Sequence, residues 1–124
     1  MINYEKEFAN DLQLGDAAFF EKSLSLALNP RETVLITFAS PSMGVVFTGR
    51  RIIVIDLHGL LGQKKEIDSI PYRNILYYSY MKVGMERVLE LRCLDIGTIR
   101  MRFANKDCLS DAYRIVSAYV LESR

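Results

Sequence analysis

Phe47-Thr48-Gly49-Arg50-Arg51-Ile52-Ile53-Val54-Ile55-Asp56, followed after a turn by Ile70-Pro71-Tyr72-Arg73-Asn74-Ile75, carries the pattern that decides the fold. The first run reads as the end of one strand, a tight turn at Thr48-Gly49-Arg50, and a second strand of β-branched residues. In the second run a proline ends a strand, because proline cannot donate to the sheet ladder, and the chain re-enters the sheet at Ile75.

Working outward, short apolar runs recur with turn residues between them. Val34–Phe38, Val45–Phe47, Arg51–Leu57, Lys65–Ser69, Ile75–Val83, Val88–Leu94 and Thr98–Phe103 make seven expected strands. In the last hairpin Leu89, Leu91 and Cys93 share one face, and Ile99, Met101 and Phe103 share one face of the next strand. A three-residue loop, Asp95-Ile96-Gly97, sets Cys93 opposite Ile99 and Leu91 opposite Met101. The same register places Glu90 against Arg102 and Arg92 against Arg100. After this hairpin, Asn105 is the expected cap of a final helix. That helix has Cys108, Leu109, Ala112, Ile115, Val116, Tyr119 and Val120 at i, i+3 and i+4 spacing.

The first thirty residues read differently. Tyr4, Phe8 and Leu12 recur at helical spacing, Gly15 breaks the pattern, and Asp16 is placed to cap a second helix from Ala17 to about Leu28. Asn29-Pro30 ends it, since the residue before proline leaves the helical region. Phe19, Phe20, Leu24, Leu26, Ala27 and Leu28 exceed one apolar stripe, so this helix requires burial on more than one side.

The chain has 124 residues, enough for one domain. With 16 Lys and Arg against 15 Asp and Glu, the formal net charge is +1, which supplies no overall field for nucleic acid. No apolar run reaches the ~18 residues of a membrane span, and Met1–Glu7 lacks the basic and apolar parts of a signal peptide. A cytoplasmic location is the default expectation. Cys93 and Cys108 match no zinc or redox spacing and read as buried thiols.

Chemistry-bearing motifs are sparse. His58 is the single histidine and stands beside Gly59 in an expected turn, where a solvated side chain is the simpler reading than a general base. No serine sits in a nucleophile elbow, and the glycines are explained by turns rather than by a phosphate-cradling loop. The expectation is therefore no catalytic residue, no cofactor and no metal. Two features remain. Arg50, Arg51, Lys64 and Lys65 are the densest basic pairs and the candidate anion-binding residues. Phe19, Phe20, Leu24, Tyr78 and Tyr80 are the candidate interface residues, because both the second helix and the Ile75–Val83 strand carry more apolar surface than one buried face absorbs.

Seven antiparallel strands followed by one amphipathic helix resemble the bacterial pleckstrin-homology-like family. The matching residues are Val46 to Asp56, Ser69-Ile70-Pro71-Tyr72-Arg73-Asn74-Ile75, and the helix ending Tyr119-Val120-Leu121. The resemblance implies a mainly β (α+β) fold: a seven-stranded antiparallel β-sandwich or partly open barrel capped by the C-terminal helix. Residues 1–30 would form a helical segment ahead of a domain spanning 31–124. It further implies a non-catalytic interaction module that self-associates and binds protein partners. The rival is a peripheral module for anionic lipids or other anionic ligands. Phosphoinositide-binding relatives use basic residues around the first strand–strand loop. Here that loop, Ala39 to Gly44, has no Lys or Arg, and phosphate recognition needs charge-assisted donors.

Overall fold

A computed structural model describes residues 5–15, 21–41, 43–58 and 64–123. In chain order they form β1 (Glu5–Leu14), α1 (Glu21–Ala27), β2 (Val34–Ser40), β3 (Met43–Thr48), β4 (Arg51–His58) and β5 (Lys64–Pro71). A single 3-10 turn at Tyr72–Asn74 leads into β6 (Ile75–Val83), β7 (Glu86–Cys93), β8 (Gly97–Phe103) and α2 (Lys106–Glu122). The strands lie in the order β5-β4-β3-β2-β1-β8-β7-β6.

Eight strands replace the seven expected, and the additional one is the segment read as the first helix. β1 runs parallel to β8, with Glu5 opposite Thr98 and Phe8 opposite Met101, and its end pairs antiparallel with β2 at Gln13–Ala39 and Leu14–Phe38. The misreading has a simple cause. Residues four apart share a face in a helix and also in a strand, so Tyr4, Phe8 and Leu12 satisfy both periods. A bulge between Phe8 and Leu12 interrupts the plain alternation that would have identified the strand. Of the second expected helix, the described part is α1, Glu21–Ala27. Asp16, Phe19 and Phe20 lie outside the described residues.

β1 links two halves of the sheet that fold over a common core. Phe38, Val45, Phe47, Ile52 and Val54 from one half meet Leu89, Leu91, Ile99, Met101 and Phe103 from the other. The rings of Phe38 and Phe103 touch edge to face across that core, with centroids 5.1 Å apart. α2 closes it as expected, burying Cys108, Leu109, Ala112, Val116 and Val120, and Asn105 caps it by accepting the Cys108 N–H at 2.9 Å.

The run Ile52-Ile53-Val54-Ile55 is continuously apolar because both faces of β4 are covered. Ile52 and Val54 face the main core, while Ile53 and Ile55 join Val46 and Leu24 in a second cluster beneath α1. Leu24 is thus buried within the chain, with Ala27 and Leu28 packed against the same cluster, whereas Leu26 is 76% exposed.

The last hairpin keeps its faces and slips its register by two. Leu89 opposes Met101, Leu91 opposes Ile99, Cys93 opposes Gly97, and Arg92 opposes Thr98. The loop is Leu94-Asp95-Ile96, with Asp95 at φ 64° and Gly97 at φ 106° opening β8. A two-residue slip leaves every side chain on its own face. It also sets Glu90 directly against Arg100, 3.2 Å apart, in place of the expected Glu90–Arg102 and Arg92–Arg100 pairs.

On β6 a bulge between Ile75 and Tyr77 breaks the simple alternation of faces. Ile75 enters the core, and Tyr78 and Tyr80 pack against the same cluster, whereas Leu76 and Tyr77 are exposed.

Candidate functional site

The end of the molecule at the β3–β4 turn is organised around a buried carboxylate. Glu32 follows α1 in the segment Asn29-Pro30-Arg31, and its side chain is only 1% exposed. Arg51, the first residue of β4, meets it with two parallel hydrogen bonds, Nε to Oε2 at 2.9 Å and Nη2 to Oε1 at 2.7 Å. This fork-to-fork geometry is the strong form of an arginine–carboxylate pair. Arg51 also donates to the Ala27 carbonyl and, at 2.9 Å, to the Ser69 hydroxyl. One guanidinium thereby ties α1, β4 and β5 together.

Thr48 completes the arrangement. Its hydroxyl donates to Glu32 Oε2 at 2.7 Å and accepts the backbone N–H groups of Arg50 and Arg51, each at 3.1 Å. Glu32 Oε1 also accepts the Asn29 N–H at 3.2 Å. The Arg51 hydrogen bonds above all, helped by the Thr48 hydroxyl and the Asn29 N–H, outweigh desolvation and bring the Glu32 carboxyl down to about 2. The same pair raises the Arg51 guanidinium. Tyr72, in the corner after Pro71, donates its hydroxyl to the Thr48 carbonyl at 2.7 Å and stacks on Tyr119 of α2 with centroids 5.4 Å apart. Burial pushes the Tyr72 phenol upward.

Over this frame lie two adjoining depressions of about 400 and 250 Å³ that share Glu32, Gly49 and Arg50. The larger also takes in Asn29, Arg73 and Ser123, and the smaller takes in Arg31 and Tyr119. Arg31, Arg50 and Arg73 are all exposed.

The residues expected from sequence distribute unevenly. Arg50 stands in the groove, and Arg51 beneath it is committed to Glu32. Lys64 and Lys65 do not join them. Arg51 opposes Pro71 at one end of the β4–β5 ladder and His58 opposes Lys64 at the other, roughly 23 Å away at ~3.3 Å per residue. Leu24 is 7% exposed and packed on Val46, Ile53 and Ile55, so its own chain already buries it. Tyr78 and Tyr80 both contact Tyr113 of α2, and the Tyr78 hydroxyl lies 3.1 Å from that of Ser117. Their rings serve the junction with α2.

Sequence reasoning missed Glu32, Arg31 and the partnership of Arg73 with Arg50. Glu32 and Arg51 are 19 residues apart and nothing local links them. Arg73 lies in the proline corner that the sequence does mark. Among the described residues no three His, Cys, Asp or Glu side chains gather as metal ligands, and no helix is long and apolar enough to cross a membrane.

Solved structures share this architecture. A pleckstrin-homology-domain protein from Shewanella loihica superimposes with a TM-score of 0.77 at 18% identity, covering 90% of this chain and 99% of that one. A pleckstrin homology domain from Shewanella amazonensis gives 0.67 at 22% identity, covering 86% and 99%. A PH-domain-containing protein from Exiguobacterium sibiricum gives 0.65 at 16% identity, covering 90% of this chain and 62% of that one. The fold is thus pleckstrin-homology-like. The family model for the bacterial PH domain matches residues 7–120, and the chain belongs to that family. "Uncharacterized protein YjqA" of Bacillus subtilis is 27% identical over 79 residues, 60% of this chain, and the matched region spans 63% of that protein's length. Domains of this kind are generally binding modules rather than catalysts.

Proposed function

We propose that the chain is a non-catalytic interaction module that self-associates through the free edge of β6 and, as an assembly, presents surfaces to protein partners. The observation that carries this reading is the contrast between the two ends of the sheet. β5 and β6 are the terminal strands, each paired with one neighbouring strand among the described residues. β5 is protected: its eight residues include Lys64, Lys65, Glu66 and Asp68, and it ends at Pro71. β6 has one charge, Lys82, in nine residues. Along it and just beyond, Leu76 and Tyr77 are each 54% exposed, Val83 69% and Met85 83%.

An apolar edge with almost no charge is the kind of edge that another strand completes, since the backbone supplies hydrogen bonds and the side chains supply burial. A second copy of β6 fits without repulsion. In an antiparallel pair centred on Ser79, Lys82 faces Leu76 rather than another lysine. Sedimentation velocity of the purified protein tests the reading. A concentration-dependent oligomer is expected, and a monomer persisting at millimolar concentration would end it.

A further inference from the structure

We propose that the groove over the β3–β4 turn is a binding site for a phosphate-bearing anion, held by Arg50 with Arg73 on one side and Arg31 on the other. The inference is independent of self-association and rests on what this end of the fold concentrates. The whole chain carries a formal net charge of +1, yet three exposed arginines line two adjoining depressions built around one turn. Among the described residues none of the three makes an ion pair. The one carboxylate in the lining, Glu32, is already neutralised by the bidentate Arg51 beneath it.

The Glu32–Arg51 pair has a second consequence. It fixes the backbone from which Arg50 projects, because Thr48 bonds to Glu32 and holds the N–H groups of Arg50 and Arg51 at the same time. Arg73 is fixed similarly, from a corner whose Tyr72 is bonded to the Thr48 carbonyl and stacked on Tyr119. Stiff anchors for exposed cations lower the ordering cost of binding. α2 also ends here, at Ser123, and a helix C-terminus bears only about half a negative charge against three full positive ones. Four arginines against the single carboxylate of Glu32 leave the lining of the two depressions net positive. Arginine in particular suits phosphate, because its planar fork delivers two parallel donors to two oxygens. Asn29 adds a neutral polar residue to the lining of the larger depression, and Tyr119 adds an aromatic residue to that of the smaller.

Phosphate of this kind comes from a soluble phosphorylated compound or from a lipid headgroup, and the test separates the two. Inorganic pyrophosphate is titrated into ¹⁵N-labelled protein at low ionic strength, and vesicles of phosphatidylglycerol or of phosphatidylcholine are co-sedimented with it. Saturable shifts are expected at the Gly49, Arg50 and Arg73 amides. The dissociation constant should rise about tenfold or more in Arg50→Ala and in Arg73→Ala, in line with loss of a charge-assisted hydrogen bond. Lys64→Ala with Lys65→Ala should leave it unchanged. All four substitutions lie at exposed sites, and retained amide spectra verify the fold. Sedimentation with phosphatidylglycerol but not phosphatidylcholine, lost in Arg50→Ala, identifies a lipid source. Pyrophosphate binding without vesicle binding identifies a soluble one. Absence of saturable shifts at these amides, or equal weakening by the lysine substitutions, overturns the proposal. A monomeric protein that binds pyrophosphate keeps this inference while ending the self-association reading.

Discussion

Arg51 grips Glu32 through one guanidinium edge, Nη2 and Nε, at 2.7 and 2.9 Å, across 19 residues of sequence, at the point where α1 meets the sheet. Breaking a buried pair strands the surviving charge, and this costs more than the pair itself contributes. Arg51→Met should therefore destabilise the fold by about 3–5 kcal/mol, and Glu32→Gln by about 2–4, since Arg51 keeps Ala27 and Ser69 as partners. Urea denaturation of each variant against the parent checks both values.

The same carboxyl sets an acid limit. Its folded value of about 2 lies below the ordinary 4.5, so the folded state favours the ionised form. The stabilisation is complete above pH 4.5 and is lost as pH falls from 4.5 towards 2. At most it amounts to about 3 kcal/mol. Stability measured against pH should fall across that window in the parent and much less steeply in Glu32→Gln.

Gly15 is a site of close approach. A Cβ added there would lie 2.6 Å from the Ala39 Cβ, where the Gly15 N–H bonds the Thr37 carbonyl at 2.9 Å. Gly15→Ala should cost about 1–3 kcal/mol through overpacking. Gly49→Ala is the matched control. Its new methyl meets only the Tyr119 ring, at 3.7 Å, and a change within about 0.5 kcal/mol is expected. Thermal or urea melts of the two variants distinguish a spacing requirement from a general intolerance of side chains at glycine.

Burial raises the Cys93 thiol to about 11. The native protein at pH 8 should react with a disulfide reagent far more slowly than the urea-unfolded chain at that thiol. A Cys108→Ala background isolates the signal.

What could be read from the residues was what is local. The β3–β4 turn, the corner at Pro71-Tyr72 and the capped α2 each carry their pattern within about a dozen residues. The face assignments of the last hairpin were legible for the same reason, whereas its register depended on which residues the loop took, and Gly97 went to the strand. β1 was illegible because its partner β8 lies some ninety residues away and its apolar spacing of four fits helix and strand alike. Leu24 carried a true signal of excess burial, but its cover is the outer face of β3 and β4 in the same chain. The groove arginines come from three separate segments, Arg31, Arg50 and Arg73, so that only folding brings them to one place.

The central claim is that a second copy completes the sheet at β6. Amide hydrogen exchange, followed residue by residue at micromolar and at millimolar protein, tests it most directly. The account predicts that the Leu76–Val83 amides not bonded to β7 gain protection with concentration, while those along the outer edge of β5 do not. Identical exchange at β6 across the range, or protection appearing at β5 alone, would contradict it.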